Sequence, residues 1–231
     1  MNSNKNTAAR AVIYFIGILM VSLGIVLCKK SNLGISPVSS IPFVLEEITG
    51  LSFGRLTMYF HLGNIILQLF LERKLWDVKI YLQIPLAYVF GTVIDFFQQW
   101  VWIDGSQLLI QVLVLLFSVL FTAIGMVCMI QMNLIQNPPD GTVLRLSYLL
   151  ARELGKVKIG YDIFCVLLSI ALGIGFLNEI RGFGAATVVS AVFVGKTISW
   201  IKAGMNDLKH LQYFHLWQNG RTKISEGCCK K

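Results

Sequence analysis

The chain has 231 residues, 55% of them hydrophobic and 14% charged, against about 25% charged residues in an ordinary soluble domain. Twenty basic and twelve acidic residues give a formal charge of +8, and these charges leave long stretches of sequence untouched instead of interspersing with apolar positions. A soluble globular domain is excluded, and the composition predicts an all-α polytopic membrane protein.

The first charge-free run, 11–28, follows Lys5 and Arg10 and is closed by Lys29 and Lys30. No small-residue cleavage site follows it, so it reads as an uncleaved span and not as a signal peptide. Next comes the interval 36–50, apolar enough to enter a bilayer but too short to cross it. It opens at Pro37, whose missing amide hydrogen suits a first helical turn. Spans are predicted over about 54–71 and 80–102, the second ending at Trp100 and Trp102, whose indole rings suit headgroup depth. The run 105–139 is longer than one span needs, and Asn133, Asn137, Pro138 and Pro139 stop its helix early, which predicts a span over about 107–130. The interval 138–155 repeats the character of 36–50, with Pro138 at its start and Arg145 and Arg152 inside it. Both intervals read as half-helices, either re-entrant or lying in the interface. The last two spans are predicted over about 159–177 and 182–202, followed by a basic tail, 204–231.

The two half-helices expose an internal repeat. Gly24, Val26, Asn32, Leu33 and Pro37 recur as Gly125, Val127, Asn133, Leu134 and Pro138 at a constant offset of 101. Beyond them, Gly50 matches Gly155, Gly54 matches Gly160, and Phe90-Gly91 matches Val194-Gly195 at slightly larger offsets. The expected fold is therefore six transmembrane helices in two inverted three-helix repeats, 1–103 and 104–203, each carrying one short half-helix. Three spans is an odd number, so the second copy enters from the opposite side. Lysine and arginine placement points the same way: with the N-terminus inside, fifteen of these residues fall on cytoplasmic segments and four outside. Both termini are expected in the cytoplasm.

Inverted repeats with interrupted segments at matching places suit a protein that rocks about a midplane site. Half-helix N-termini present amide donors and partial positive charge to a polar ligand. Side chains placed to assist are Asn32, Ser36 and Ser39 in the first half and Asn133, Asn137, Asp140 and Thr142 in the second. Local capping is the alternative role at every one of these positions. Asp140 is the sharpest candidate, a carboxylate in the first turn of a half-helix, with an Asp140–Arg145 pair as its structural alternative. Its counterpart is Ser39. Among ionisable groups inside spans, His61 and Asp95 are candidates for ion or proton coupling if they meet across a cavity; otherwise His61 packs helices and Asp95 approaches the interface. Asp162 and Lys196 are the remaining two.

No H-E-x-x-H, G-x-S-x-G or Walker loop occurs, so no enzyme, catalytic residue, cofactor or metal site is expected. Five cysteines without a C-x-x-C spacing give no zinc or disulfide framework. The basic tail, with His210 and His215, reads as topology and not as a nucleic-acid site.

The stretch Asn32-Leu-Gly-Ile-Ser-Pro37, then Thr49-Gly-Leu-Ser-Phe-Gly54 and Gly91-Thr-Val-Ile-Asp95, resembles the YczE/YyaS/YitT group of bacterial integral membrane proteins. Asn137-Pro-Pro-Asp-Gly141 and Gly182-Phe-Gly-Ala-Ala-Thr-Val repeat the likeness in the second half. The resemblance covers about 17–200 and implies a protein of the bacterial cell membrane, with transport as the expected activity and no substrate specified. The chain departs from that pattern at Pro37-Val38-Ser39, where the group often carries an aspartate after the proline.

The expectation is a transporter of a small polar or charged solute or ion, working by alternating access. Two alternatives stay open: a membrane-embedded substrate-binding subunit of an ATP-driven uptake system, and a regulatory or assembly protein without transport. The partners expected are the lipid bilayer and the solute, with a second copy or another membrane protein left open.

Overall fold

The computed structural model describes residues 3–72, 78–103, 107–132, 134–179 and 182–206. Among them every regular element is helical: α1 (Ser3–Lys30), α2 (Ser40–Thr49), α3 (Phe53–Glu72), α4 (Val78–Tyr81), α5 (Gln83–Trp100), α6 (Leu108–Met132), α7 (Pro138–Leu149), α8 (Leu154–Leu177) and α9 (Ala185–Asn206). The polar tail from 207 onward, with His210 and His215, lies outside the described residues, as do Asn133, Asp104 and Arg181. The Lys196 side chain does too.

Among the described residues four segments are long and apolar enough to cross a membrane: Ala8–Lys30, Lys79–Trp100, Leu108–Met132 and Leu154–Leu177. Their outward faces are apolar, with Phe15, Tyr88, Phe117 and Phe164 about half exposed or more, a surface that suits a lipid solvent. Helix α3 has the length of a span at 20 residues, but a polar stripe dilutes it. His61, Asn64 and Gln68 recur at helical spacing and all turn inward, where each is 5% exposed or less. The described side chains of α9 give a shorter apolar helix, Ala185–Val194.

Several predicted boundaries shift. Helix α8 begins at Leu154, not 159, which brings Lys156 and Lys158 into the helix. The third span is interrupted: α4 ends at Tyr81, α5 starts at Gln83, and the chain leaves helix at Val101. Pro37 opens a 3₁₀ turn, Pro37–Ser39, and α2 proper starts one residue later with a second proline, Pro42, in its first turn.

Helices α1 and α6 form the central pair and run antiparallel. A Cβ at Gly24 would lie 2.8 Å from the Thr122 amide and 2.9 Å from the Ser118 carbonyl, whereas one at Gly17 would lie 2.9 Å from the Gly125 carbonyl. Missing side chains thus let the two backbones touch, the way helices associate tightly where apolar burial gives no advantage over lipid. Near the start of α1, the Tyr14 hydroxyl donates to the Ile135 carbonyl at 2.9 Å and Arg10 donates to the Met132 carbonyl at 2.6 Å. Around this pair, α5 packs on α1 and α9 on α6, while α2 packs on α8 and α7 on α3. Each short helix is therefore seated against the long helix of the other half of the chain. The main apolar core joins Tyr14, Ile18, Val26, Phe53, Phe90 and Ile94.

The contacts obey the 101-residue offset more strictly than the sequence match predicts. Gly24 touches Ser118 and Thr122; Gly125 touches Gly17 and Val21, which are their counterparts. Helices α3 and α8 begin 101 residues apart, at Phe53 and Leu154. This corrects the pairing of Gly50 with Gly155 and of Gly54 with Gly160. Gly50 corresponds to Ala151, and both adopt the left-handed conformation that ends a short helix, at φ +68° and +48°. Gly54 corresponds to Gly155.

Candidate functional site

The N-terminus of α7 is where the polar side chains converge. Pro138 and Pro139 occupy its first positions and Asp140 its first turn. Prolines there forgo amide donors that would be unpaired, and the carboxylate complements the helix dipole. Gly141 lets α3 approach: a Cβ there would stand 2.9 Å from Gln68 Oε1. Gln68 on α3 and Gln83 on α5 exchange two amide hydrogen bonds of 3.0 Å, and Gln68 also donates to the Pro138 carbonyl at 2.8 Å. Three helices are thereby tied at one fully buried point, which satisfies amide groups that would otherwise be costly in an apolar interior.

One helical turn along α3, the Thr142 hydroxyl lies 3.2 Å from both the Asn64 and the Pro138 carbonyls. The Tyr161 hydroxyl of α8 donates to Asn64 Oδ1 at 2.6 Å. Beside it Lys158 lies 3.5 Å from Asp140 and 3.2 Å from Asp162, so one ammonium is held by two carboxylates from different helices. Arg145 does not pair with Asp140: its guanidinium reaches Glu72 of α3 at 2.6 Å and also donates to the Gly141 carbonyl at 3.2 Å. The expected Asp140–Arg145 pair is therefore corrected to Asp140–Lys158 and Glu72–Arg145. Lysine wins because it lies on the next helix, opposite the first turn of α7, whereas Arg145 extends toward the end of α3.

Asn137 precedes this turn without capping it, and its Oδ1 is buried with no hydrogen-bond partner among the described residues. A buried carbonyl acceptor of this kind invites a donor from a ligand.

The short helix of the first half, opened by Pro37, is built alike but carries no charge at its start. The Ser40 hydroxyl lies 2.7 Å from the Pro37 carbonyl and 3.3 Å from the Cys165 carbonyl of α8. Ser36 donates to Ser39 at 2.9 Å, so these two candidates satisfy each other. Asn32 is exposed at φ +56° and serves as a left-handed turn residue at the end of α1. The ionic contact of this half lies further along α2, where Glu46 receives Lys29 and, at 3.1 Å, the Gln98 amide. The Lys29 ammonium also sits 4.7 Å from the Phe53 ring centre.

His61 and Asp95 are not brought together. Asp95 caps the start of α3, accepting from the Ser52 hydroxyl at 2.7 Å and the Gly54 amide at 2.8 Å. His61 lies seven residues farther along α3, about 10 Å at helical rise, with its ring edge-on to Phe90 at 5.5 Å. Its Nδ1 is buried and unpartnered among the described residues. Of the candidate residues, then, Asp140, Asn137 and Thr142 share one site, Ser36 and Ser39 form a second neutral group, and Asn133 lies outside the described residues. Lys158, Tyr161 and Gln68 are not among the sequence candidates, whereas Asn64 shares a helix face with His61 by its spacing. The stripe His61, Asn64, Gln68 and the i,i+4 pair Lys158–Asp162 were the periodic signals that could have found them.

Apolar helices around a buried polar cluster define an integral membrane protein. More particularly, residues 8–203 match the Family of unknown function (DUF6198), and the chain belongs to that family. No curated protein and no solved structure matches it.

Proposed function

We propose that the chain is a transporter of a small polar or charged solute, built as two inverted three-helix repeats that work by alternating access. Six spans, α1, α3, α5, α6, α8 and α9, cross the bacterial cell membrane with both termini in the cytoplasm. The antiparallel α1–α6 pair and the reciprocal glycine contacts support the inversion, and the distribution of lysine and arginine supports the orientation. The likeness to the YczE/YyaS/YitT proteins supports the bacterial setting.

The observation that carries this reading is the depth of the half-helices. Thr142 meets α3 at Asn64, the twelfth of its 20 residues, and Ser40 meets α8 at Cys165, the twelfth of its 24. Both N-termini therefore reach the middle of long helices, which favours re-entrant segments over interfacial ones. The solute is held at the first turn of α7, between Asn137, Asp140 and Lys158, with α3 and α8 as walls. Lys158 positions the two carboxylates and keeps the unoccupied site from carrying two unpaired negative charges.

The test is a thermal-stability panel of metabolites and ions on detergent-purified wild type and Asp140→Asn, since a ligand of the folded state raises its apparent stability. Hits then go to sealed vesicles. A compound that stabilises wild type alone and crosses vesicles carrying wild type alone supports the proposal. A compound that binds without flux under proton and sodium gradients of either sign overturns transport.

A further inference from the structure

We propose that the groove between α3, α7 and α8 is a binding site for a phospholipid with an anionic headgroup. The groove measures 470 Å³ and its floor is apolar, formed by Leu67, Leu146, Leu150, Val157 and Phe164. It opens on the exposed side of the molecule: Leu67 is 41%, Leu150 59% and Phe164 59% exposed. Two basic residues, Arg152 and Lys156, stand at one end. Arg152 makes no side-chain ion pair among the described residues, and Lys156 has only a solvated contact to Glu153 at 3.4 Å, both side chains being about 70% exposed, a pairing that holds it weakly.

Position along the helix identifies the occupant. Arg152 lies two residues before α8 and Lys156 lies in its first turn, at the end of a segment long enough to cross a membrane. Phe164 is eight residues farther in, about 12 Å at helical rise. Basic side chains at headgroup depth above an apolar channel of that reach match a phosphate with an acyl chain below it. Gly160 lies in the channel, and a Cβ there would meet nothing within 4 Å, so the space it leaves is available to the chain. Tyr161 lines the groove and at the same time bonds Asn64, which places the lipid one side chain from the polar cluster.

The full-length protein, delipidated in detergent, is titrated with phosphatidylglycerol or phosphatidylcholine of equal chain length and bound lipid is read by native mass spectrometry. Wild type is expected to prefer phosphatidylglycerol by roughly 30-fold, from two basic residues at the membrane surface. Arg152→Gln with Lys156→Gln, both at exposed positions, is expected to erase the preference while leaving phosphatidylcholine binding unchanged. Gly160→Leu fills the channel and is expected to reduce retention of both lipids, whereas Gly175→Leu, at an equally open position on the same helix, leaves retention intact. Equal retention of the two lipids by wild type, or an undiminished preference in the double glutamine variant, overturns the proposal. So does a dimer that Gly160→Leu dissociates without any lipid preference, because the groove then seats a second copy.

Discussion

Ser40 and Thr142 are the same clamp in two halves of one chain. Each hydroxyl sits between the carbonyl of the proline that opens its half-helix and a carbonyl at mid-length of a long helix in the other half: Pro37 and Cys165 for Ser40, Pro138 and Asn64 for Thr142. Pro37 and Pro138 are 101 residues apart, and so are Asn64 and Cys165. The hydroxyls themselves are 102 apart because Pro37 starts a 3₁₀ turn and Pro138 an α-helix, so the residue above the proline is the third in one case and the fourth in the other.

Removing either hydroxyl takes away one donor shared between two carbonyls at a buried crossing, while the Pro138 carbonyl keeps Gln68 and the Pro37 carbonyl keeps the Ser40 amide. Thr142→Val keeps the volume and is expected to cost about 1 kcal/mol, with Ser40→Ala costing a similar amount. The two sites share no partner, so the double variant should sum within about 0.5 kcal/mol. Thermal melts in detergent check this.

Asp95 ties the start of α3 to α5. Asp95→Ala removes the acceptor for Ser52 and for the Gly54 amide and is expected to destabilise by about 1–2 kcal/mol. His61→Phe, which removes an unpartnered buried nitrogen, should be far milder. Equal losses of stability in the two variants would contradict the separation of these residues.

Glycines divide sharply by what surrounds them. A Cβ at Gly54 would lie 2.1 Å from the Gly91 carbonyl, and one at Gly125 would lie 2.8 Å from the Val21 amide, whereas Gly160 and Gly175 face open space. Gly54→Ala and Gly125→Ala are expected to cost about 1–3 kcal/mol through forced helix separation. Gly160→Ala and Gly175→Ala are expected to gain up to about 1 kcal/mol through helix propensity. Melting temperatures of the four single variants discriminate the classes.

Ala151 carries a Cβ in a conformation that suits glycine, where its counterpart is Gly50. Ala151→Gly is expected to stabilise by about 1 kcal/mol, and Gly50→Ala to destabilise by a similar amount, both read from the same melts.

Lys158→Met leaves Asp140 and Asp162 without their shared cation. It is expected to cost more stability than Asp140→Asn, on the order of 3 kcal/mol, and adding Asp162→Asn should recover part of the loss. A Lys158→Met variant as stable as wild type would show that the ammonium is not holding the two helices.

Much of this was legible in the sequence. Pro37 and Pro138 marked both half-helices, and Gly24 with Gly125 fixed the offset. What the sequence hid was contact between distant segments: nothing local says that Arg145 reaches Glu72 or that Asp95 caps a helix forty residues away. Matching identities equate Gly50 with Gly155, but an alanine holds the left-handed position in the second half, and only the backbone angle reveals it. A span predicted from 159 leaves Lys158 just outside it because charges bound the spans, yet pairing with two carboxylates lets it enter a helix.

The two halves share their order of helices, but not the chemistry that fills it. Where the second half places Asp140, Lys158 and Asp162, the first places Ser39, Thr57 and His61. One helix order thus carries three charged groups at the opening of α7 and none at the opening of α2, where the ion pair Lys29–Glu46 lies further along the helix, so the two halves differ in where charge is fixed along a shared scaffold.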